Sequence, residues 1–245
     1  MARTRTVEAA APRVPPPRAA AEQAEQAVRA ERVEQAERAV RIEPVERAVR
    51  AVRVQPGLHD LRPGPVPAAL HYPAGDLLVV SGLPGSGKST LMHRCVRAPL
   101  VDSQLVREEY AARLPGRLPY ALYRPLARIA HYRRLRRAVL AGGPLAVHDC
   151  GSLPWVRAWL TRTAARQGRR VHLLLLDVDP AEAREGQQSR GQSVSGYAFA
   201  RHRAAVDRLR RGLTAAERPP DGCASAVVLD RAAARALREI VFVAS

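Results

Sequence analysis

The chain has 245 residues, 47% of them hydrophobic, which is enough for a sizeable core in one or two domains. Its net charge of +17 favours polyanionic partners, while three widely spaced cysteines, Cys95, Cys150 and Cys223, with no CxxC pair, exclude a disulfide framework and point to a reducing cytosol. Arg3 and Arg5 are followed by no apolar segment, and the most apolar run, Val171 to Leu176, is far too short to span a bilayer; a soluble, cytoplasmic protein without a membrane partner is expected.

Residues 1–70 differ in kind from the rest. Prolines from Pro12 to Pro17 lead into a quasi-repeat that starts at Glu22, returns at Glu34 and fades after Val45. Its alanine, glutamate, glutamine and arginine are good helix formers, and Glu/Arg pairs four apart support a helix over about 19–43. The apolar positions are mostly Ala and Val, which bury little. Pro44 breaks the pattern, and Pro56, Pro63, Pro65 and Pro67 mark a second flexible stretch. The expected organisation is a low-complexity extension over 1–70, disordered or a single helix, with a coiled-coil partner module as the other reading, followed by a catalytic-looking domain over 71–245.

Next comes the apolar run Leu77 to Ser81, then Gly82-Leu83-Pro84-Gly85-Ser86-Gly87-Lys88-Ser89-Thr90, then a helical pattern from Lys88. Strand, glycine loop and helix in this order form the context of a phosphate-binding P-loop. A triphosphate is held by backbone N–H groups turned inward, and Gly82, Gly85 and Gly87 allow that turn. The helix start offers further N–H groups, Lys88 reaches β- and γ-phosphate oxygens, and Ser89 is a ligand for Mg²⁺. Lys88 is also the only lysine in the chain, against thirty-nine arginines. A composition that replaces lysine almost everywhere keeps it where a compact ammonium is needed and a planar guanidinium does not serve.

Strand and helix patterns then alternate, which predicts an α/β P-loop NTPase fold of three layers, with a parallel sheet in the order 2-3-1-4-5, helices on both faces and a small lid. The elements are a short strand at Leu100-Val101, a helix to Arg113, a long helix from Tyr120 to Leu140, a strand over 144–148, and a helix over 153–167. In that last helix Trp155 and Trp159, four apart, read as a core stripe. A buried strand over 171–176, a polar segment with Gly186, Gly191 and Gly196, a helix to Leu213, a strand over 226–229 and a helix over 230–240 complete the chain.

Ligands of open α/β sheets lie at the carboxyl ends of the strands, where Asp102, Asp149 and Asp177 fall. Asp149 ends an apolar strand as a Mg²⁺-holding carboxylate does; capping the next helix is its other reading. The long helix interleaves Arg124, Arg128, Arg133, Arg134, Arg136 and Arg137 with Tyr123, His131 and Tyr132, a pattern that suits a phosphorylated or nucleic-acid substrate or a plain solvated face.

The loop GLPGSGKST, a strand ending in Asp102-Ser103, and Arg107 five residues after Asp102 resemble the small P-loop kinases related to polynucleotide 5′-kinase, zeta toxins and chloramphenicol phosphotransferase, over about 76–240. The resemblance implies ATP and Mg²⁺ as cofactors, a substrate-phosphate role for Arg107, and a lid over 179–196 whose Arg190 reaches the transferring phosphate, with Arg184 assisting. It also implies a Ser-Asp-x-x-Arg pattern with a carboxylate base, but here the matching residues read Ser103-Gln104-Leu105-Val106-Arg107. Glutamine accepts no proton at neutral pH, so either Asp102 supplies the base or phosphoryl transfer is altered or absent. The same resemblance loosely places Asp230-Arg231 at the adenine.

The expected function is transfer of the ATP γ-phosphate to a hydroxyl of an unidentified small-molecule or nucleic-acid acceptor. A nucleotide-binding or ATP-hydrolysing module without transferase activity, and an ATP-dependent nucleic-acid-binding protein, are the alternatives.

Overall fold

The structure is a computed structural model that describes residues 51–62, 64–114, 120–149, 154–189 and 194–244. The expected helix over 19–43 and the residues Cys150, Arg190 and Gly191 lie outside the described residues.

Three strands come first: β1 (Ala51–Arg53), β2 (Gly57–Asp60) and β3 (Ala69–Pro73). The P-loop strand β4 (Leu77–Gly82), helix α1 (Lys88–Cys95), β5 (Leu100–Val101), α2 (Ser103–Arg113), α3 (Tyr120–Ala141) and β6 (Leu145–His148) follow. The chain continues through α4 (Pro154–Arg166), β7 (Val171–Leu176), α5 (Pro180–Gln188), α6 (Gly196–Ala216), β8 (Cys223–Leu229), α7 (Arg231–Ala236) and β9 (Glu239–Val243).

The main sheet has the order β2-β8-β7-β4-β6-β5, and all its strand pairs are parallel. Counted from the P-loop strand, β5, β6, β4, β7 and β8 stand in the order 2-3-1-4-5, and β2 adds a sixth strand beside β8. The chain proceeds to one side of β4 through β5 and β6, then to the other through β7 and β8. β4 is therefore the switch point of the sheet, where α/β folds open a ligand crevice at the carboxyl ends.

Every residue of β4 and β7 is buried, as expected of parallel strands covered on both faces. Alternate residues of β4 serve two cores. Leu77 and Val79 pack with Leu135, Val139, Leu160 and Leu209 from α3, α4 and α6. Leu78 and Val80 pack with Leu91 and Met92 of α1, Ala233 of α7, and Tyr72 and Ile240 of a second, three-stranded parallel sheet, β1-β3-β9. Each buried Leu or Val contributes about 1.5–3 kcal/mol, so these faces hold β4 and the loop after it in place.

Four expectations change. The flexible stretch up to residue 70 instead contains β1, β2 and the start of β3, which belong to a compact unit spanning Arg50–Ser245. The prolines that suggested flexibility fall between these strands, where no ladder N–H is needed. The helix over 230–240 stops at Ala236, and the β-branched run Ile240-Val241-Phe242-Val243 pairs with β3 instead. The polar segment after Asp179 opens as helix α5, capped by the Asp179 side chain on the Ala181 N–H with Pro180 in the first turn. Trp155 is 58% exposed and stands 5.7 Å from the Tyr132 ring, so only Trp159 joins the core stripe.

Beneath the sheet, at the amino ends of its strands, three buried polar groups satisfy one another. The His172 ring pairs through Nε2 with Asp76 Oδ2 at 3.0 Å and through Nδ1 with Ser225 Oγ at 2.7 Å. A neutral ring meets both if Nε2–H donates to the carboxylate and Nδ1 accepts the serine O–H. The second Asp76 oxygen accepts the Arg170 N–H at 2.8 Å, and the Tyr72 ring covers the imidazole at 4.9 Å. Burial pushes the His172 pKa below its ordinary value despite the Asp76 hydrogen bond. The unfolded ring therefore takes up a proton that the folded ring resists, and stability present above about pH 6.5 is lost as the pH falls below it. Thermal unfolding followed from pH 8 to pH 4 should show this loss, with a shallower slope in His172→Gln. Asp76→Ala should destabilise by about 2–3 kcal/mol at neutral pH because it strands two donors.

Candidate active site

The P-loop leaves β4 at Gly82 and enters α1 through Gly87. Gly82, Gly85 and Gly87 all have positive φ, at 150°, 84° and 101°. Two of them are also fixed by close approach. A Cβ on Gly82 would lie 2.6 Å from the Leu176 carbonyl of β7, and one on Gly85 would strike the Ala183 carbonyl and lie 2.7 Å from Gln187 Cγ in α5. The contact is reciprocal, since a Cβ on Gly186 would strike the Gly85 carbonyl. Gln187 adds a hydrogen bond from Nε2 to the Pro84 carbonyl at 3.0 Å. Helix α5 thus lies directly on the outer wall of the phosphate loop.

Within the loop, Lys88 is buried and its Nζ donates to the Leu83 carbonyl at 2.6 Å. Ser86 Oγ is buried with no hydrogen-bond partner among the described residues. Ser89 Oγ donates to Gln104 Oε1 at 3.4 Å, and Gln104 Nε2 donates to Glu108 Oε1 at 2.8 Å, which orients the amide. Lys88, Ser89 and Gln104 border a cavity of about 520 Å³, lined also by Arg107 of α2, by Arg124, Arg128 and His131 of α3, and by His148 and Asp149 at the end of β6. Arg157 of α4 and Arg201 and His202 of α6 complete its basic lining.

The structure brings Gly85, Gly87, Lys88, Ser89, Arg107 and Asp149 to one cavity, as their sequence positions predict. Asp102 is different. Its side chain has no exposed surface and does not line the cavity. It caps α2, accepting the Gln104 N–H at 2.8 Å, with His148 Nδ1 at 3.2 Å and His93 Nε2 at 3.7 Å. The His148 contact is close but makes no aligned hydrogen bond. Burial and the Lys88 charge push the His148 pKa down to about 4 against the pull of Asp102, so the ring is neutral at pH 7. In this structure Asp102 is thus a buried helix cap that does not face the cavity, and Gln104 stands in the open position.

Other candidates have structural partners. Arg184 lies over the Phe199 ring at 4.8 Å, Asp177 pairs with Arg62 at 2.6 Å, and Asp230 caps α7 on the Ala233 N–H at 2.7 Å. Arg231 reaches the Glu182 carboxylate at 3.2 Å, tying α7 to α5. Arg190 lies outside the described residues. Sequence reasoning missed Arg157, Arg201 and His202, because in a chain with so many arginines nothing marks these out before α4 and α6 converge on the cavity.

The sequence model of a family described as an AAA domain matches residues 77–216, from the start of β4 to the end of α6. The chain belongs to this AAA-domain family. No curated protein shows a significant match. Among solved structures, the chain is similar to one from the PezAT chromosomal toxin–antitoxin system of Streptococcus pneumoniae, at 16% identity and a TM-score of 0.42, covering 59% of this chain and 65% of that one. It is also similar to the APS kinase CysC of Mycobacterium tuberculosis in complex with AMPPNP and APS, at 23% identity and a TM-score of 0.34, covering 47% and 69% of the two chains. A third is the tunicamycin resistance protein of Deinococcus radiodurans, at 17% identity and a TM-score of 0.36, covering 56% and 80%. The chain thus spans about two thirds of the S. pneumoniae protein it matches. Among the described residues, no helix is long and apolar enough to cross a membrane.

The contact between α5 and the loop is open to test. Gly186→Ala should push α5 off the Gly85 carbonyl, and the variant should lower the melting temperature and weaken binding of a fluorescent ATP analogue by about tenfold or more. An unchanged affinity would show that the phosphate loop keeps its shape without α5.

Proposed function

We propose that the domain binds ATP with Mg²⁺ at the P-loop and transfers the γ-phosphate to a hydroxyl of an acceptor lodged in the same cavity. The observation that carries this reading is the convergence of Lys88, Ser89 and Asp149 on one cavity with the positive-φ glycine loop. The residues fit the groups they would hold. The loop backbone forms a nest that a Cβ at Gly82 or Gly85 would destroy, and Ser86 Oγ is a buried polar atom with bonding capacity to spare. Ser89 and Asp149 are an oxygen pair of the kind that holds Mg²⁺, which when bound offsets the negative charge of the phosphates.

Each protein group then has a defined task. Lys88, released from the Leu83 carbonyl, bonds to β- and γ-phosphate oxygens, and the amides at the start of α1 face the same charge. Arg107 holds the acceptor side. The acceptor oxygen forms its bond to the γ-phosphorus while the bond to the β,γ-bridging oxygen breaks. The electron pair leaves on ADP, and the hydroxyl proton passes to water. Because such transfer depends mainly on positioning and electrostatics, a missing carboxylate base lowers the rate without removing the reaction.

Gln104 supports a second reading. A glutamine amide beside the Mg²⁺-binding serine is suited to orient a water molecule, which makes ATP hydrolysis the competing outcome. ATP turnover with and without candidate acceptors decides between them. Lys88→Ala should lose nucleotide binding or at least about a hundredfold in rate, and Asp149→Asn should lose its Mg²⁺ dependence. If Lys88→Ala binds and turns over ATP as the wild type does, the proposal fails. Gln104→Asp should raise transfer relative to hydrolysis; a rise in hydrolysis alone would favour the second reading.

A further inference from the structure

The cavity that holds the P-loop carries four further arginines from outside the loop and α2. Arg124 and Arg128 come from α3, Arg157 from α4 and Arg201 from α6, so the charges converge from three helices, none of which contributes to the P-loop. Among the described residues, Asp149 is the one carboxylate that lines the cavity, and none of the four arginines makes an ion pair. Arg62, Arg134 and Arg231, away from the cavity lining, each reach a carboxylate within 3.2 Å. Arg157 Nε and His131 Nδ1 are buried beside the cavity with no hydrogen-bond partner among the described residues, so donors and acceptors there are already withdrawn from water. Leaving such groups unmatched costs stability, and gathering like charges costs more. An anion resolves both.

The class of anion follows from the donors. Guanidinium groups present paired N–H donors that match phosphate oxygens two at a time, and several of them suit a dianion better than a carboxylate. The cavity, at about 520 Å³, is the size of a small-molecule site. Resting on the phosphotransferase reading above, we infer that the acceptor is a small phosphate monoester with a free hydroxyl, its phosphate held by Arg157 and Arg201 with Arg124 and Arg128 at the rim.

The test separates this inference from the nucleotide reading. Protein saturated with a non-hydrolysable ATP analogue, so that the P-loop is filled, is titrated calorimetrically with inorganic phosphate, glycerol 3-phosphate and a short 5′-phosphorylated oligonucleotide. The wild type should bind the two small anions, and Arg157→Gln/Arg201→Gln should bind them about tenfold more weakly or not at all while keeping its analogue affinity. The melting temperature of the ligand-free double variant should be equal to or above that of the wild type, since like-charge repulsion is relieved; this shows that lost binding is not lost folding. The inference is overturned if the analogue-loaded wild type binds neither small anion, if the double variant binds them unchanged, if the double variant loses the analogue instead, or if only the oligonucleotide binds. Failure of the analogue to bind wild type would overturn the nucleotide reading alone. Phosphate titration of the free wild type against the double variant would then still decide the second site, with unchanged binding counting against it.

Discussion

The organisation of this protein depends on backbone-to-backbone contact around the P-loop. Gly82 touches the Leu176 carbonyl at the end of β7, and Gly85 and Gly186 touch each other's chains across the gap to α5. No side chain intervenes, so the loop is shaped by three neighbours at once: the strand it leaves, the strand beside it, and the helix that lies on it. This accounts for the two buried cores as well. They hold β4 and β7 from both faces, and a shift of either strand would be felt at Gly82. The amide nest is thus prepared before any phosphate arrives, which is how electrostatic stabilisation avoids reorganisation during a reaction.

Charge has two roles in the molecule, and position separates them. Most arginines lie on the surface, where they pair with nearby carboxylates or are solvated, and such pairs contribute little. Arg124, Arg128, Arg157 and Arg201 line the cavity with no ion pair among the described residues, together with the imidazoles of His131 and His148, whose pKa values desolvation lowers. At the other end of the sheet the same histidine chemistry is fully satisfied, with His172 bonded on both ring nitrogens. The contrast places stability at the amino ends of the strands and unmet bonding capacity at their carboxyl ends, as expected of an α/β site.

Much of the architecture was legible locally. The run Leu77 to Ser81, the glycine spacing, and the apolar strands at Leu145 and Val171 each carry their own signal, because a parallel strand buried on both faces reads as a continuous apolar stretch. Strands β1, β2 and β9 were not legible in this way. They are short, all three lie at sheet edges, and their identity comes from partners far away in sequence, such as Ile240 beside Leu70. Helix α5 was obscured by Gly186, a helix-weakening residue that is present because the P-loop backbone needs the space a side chain would fill. Asp102 was ambiguous for a related reason: an aspartate at a strand end reads equally as a cap and as a catalytic group, and only the tertiary structure shows that it caps α2 and is buried.

The sequence by itself determined the P-loop, since the glycines, Lys88 and Ser89 are contiguous and their backbone requirements are local. It also determined that a glutamine stands where a carboxylate was expected. Which residues surround that glutamine was decided only by tertiary structure. Arg124, Arg157 and Arg201 are separated by tens of residues and look like every other arginine in the chain, and they form one basic site because three helices pack on the same face of the sheet and end at the same crevice.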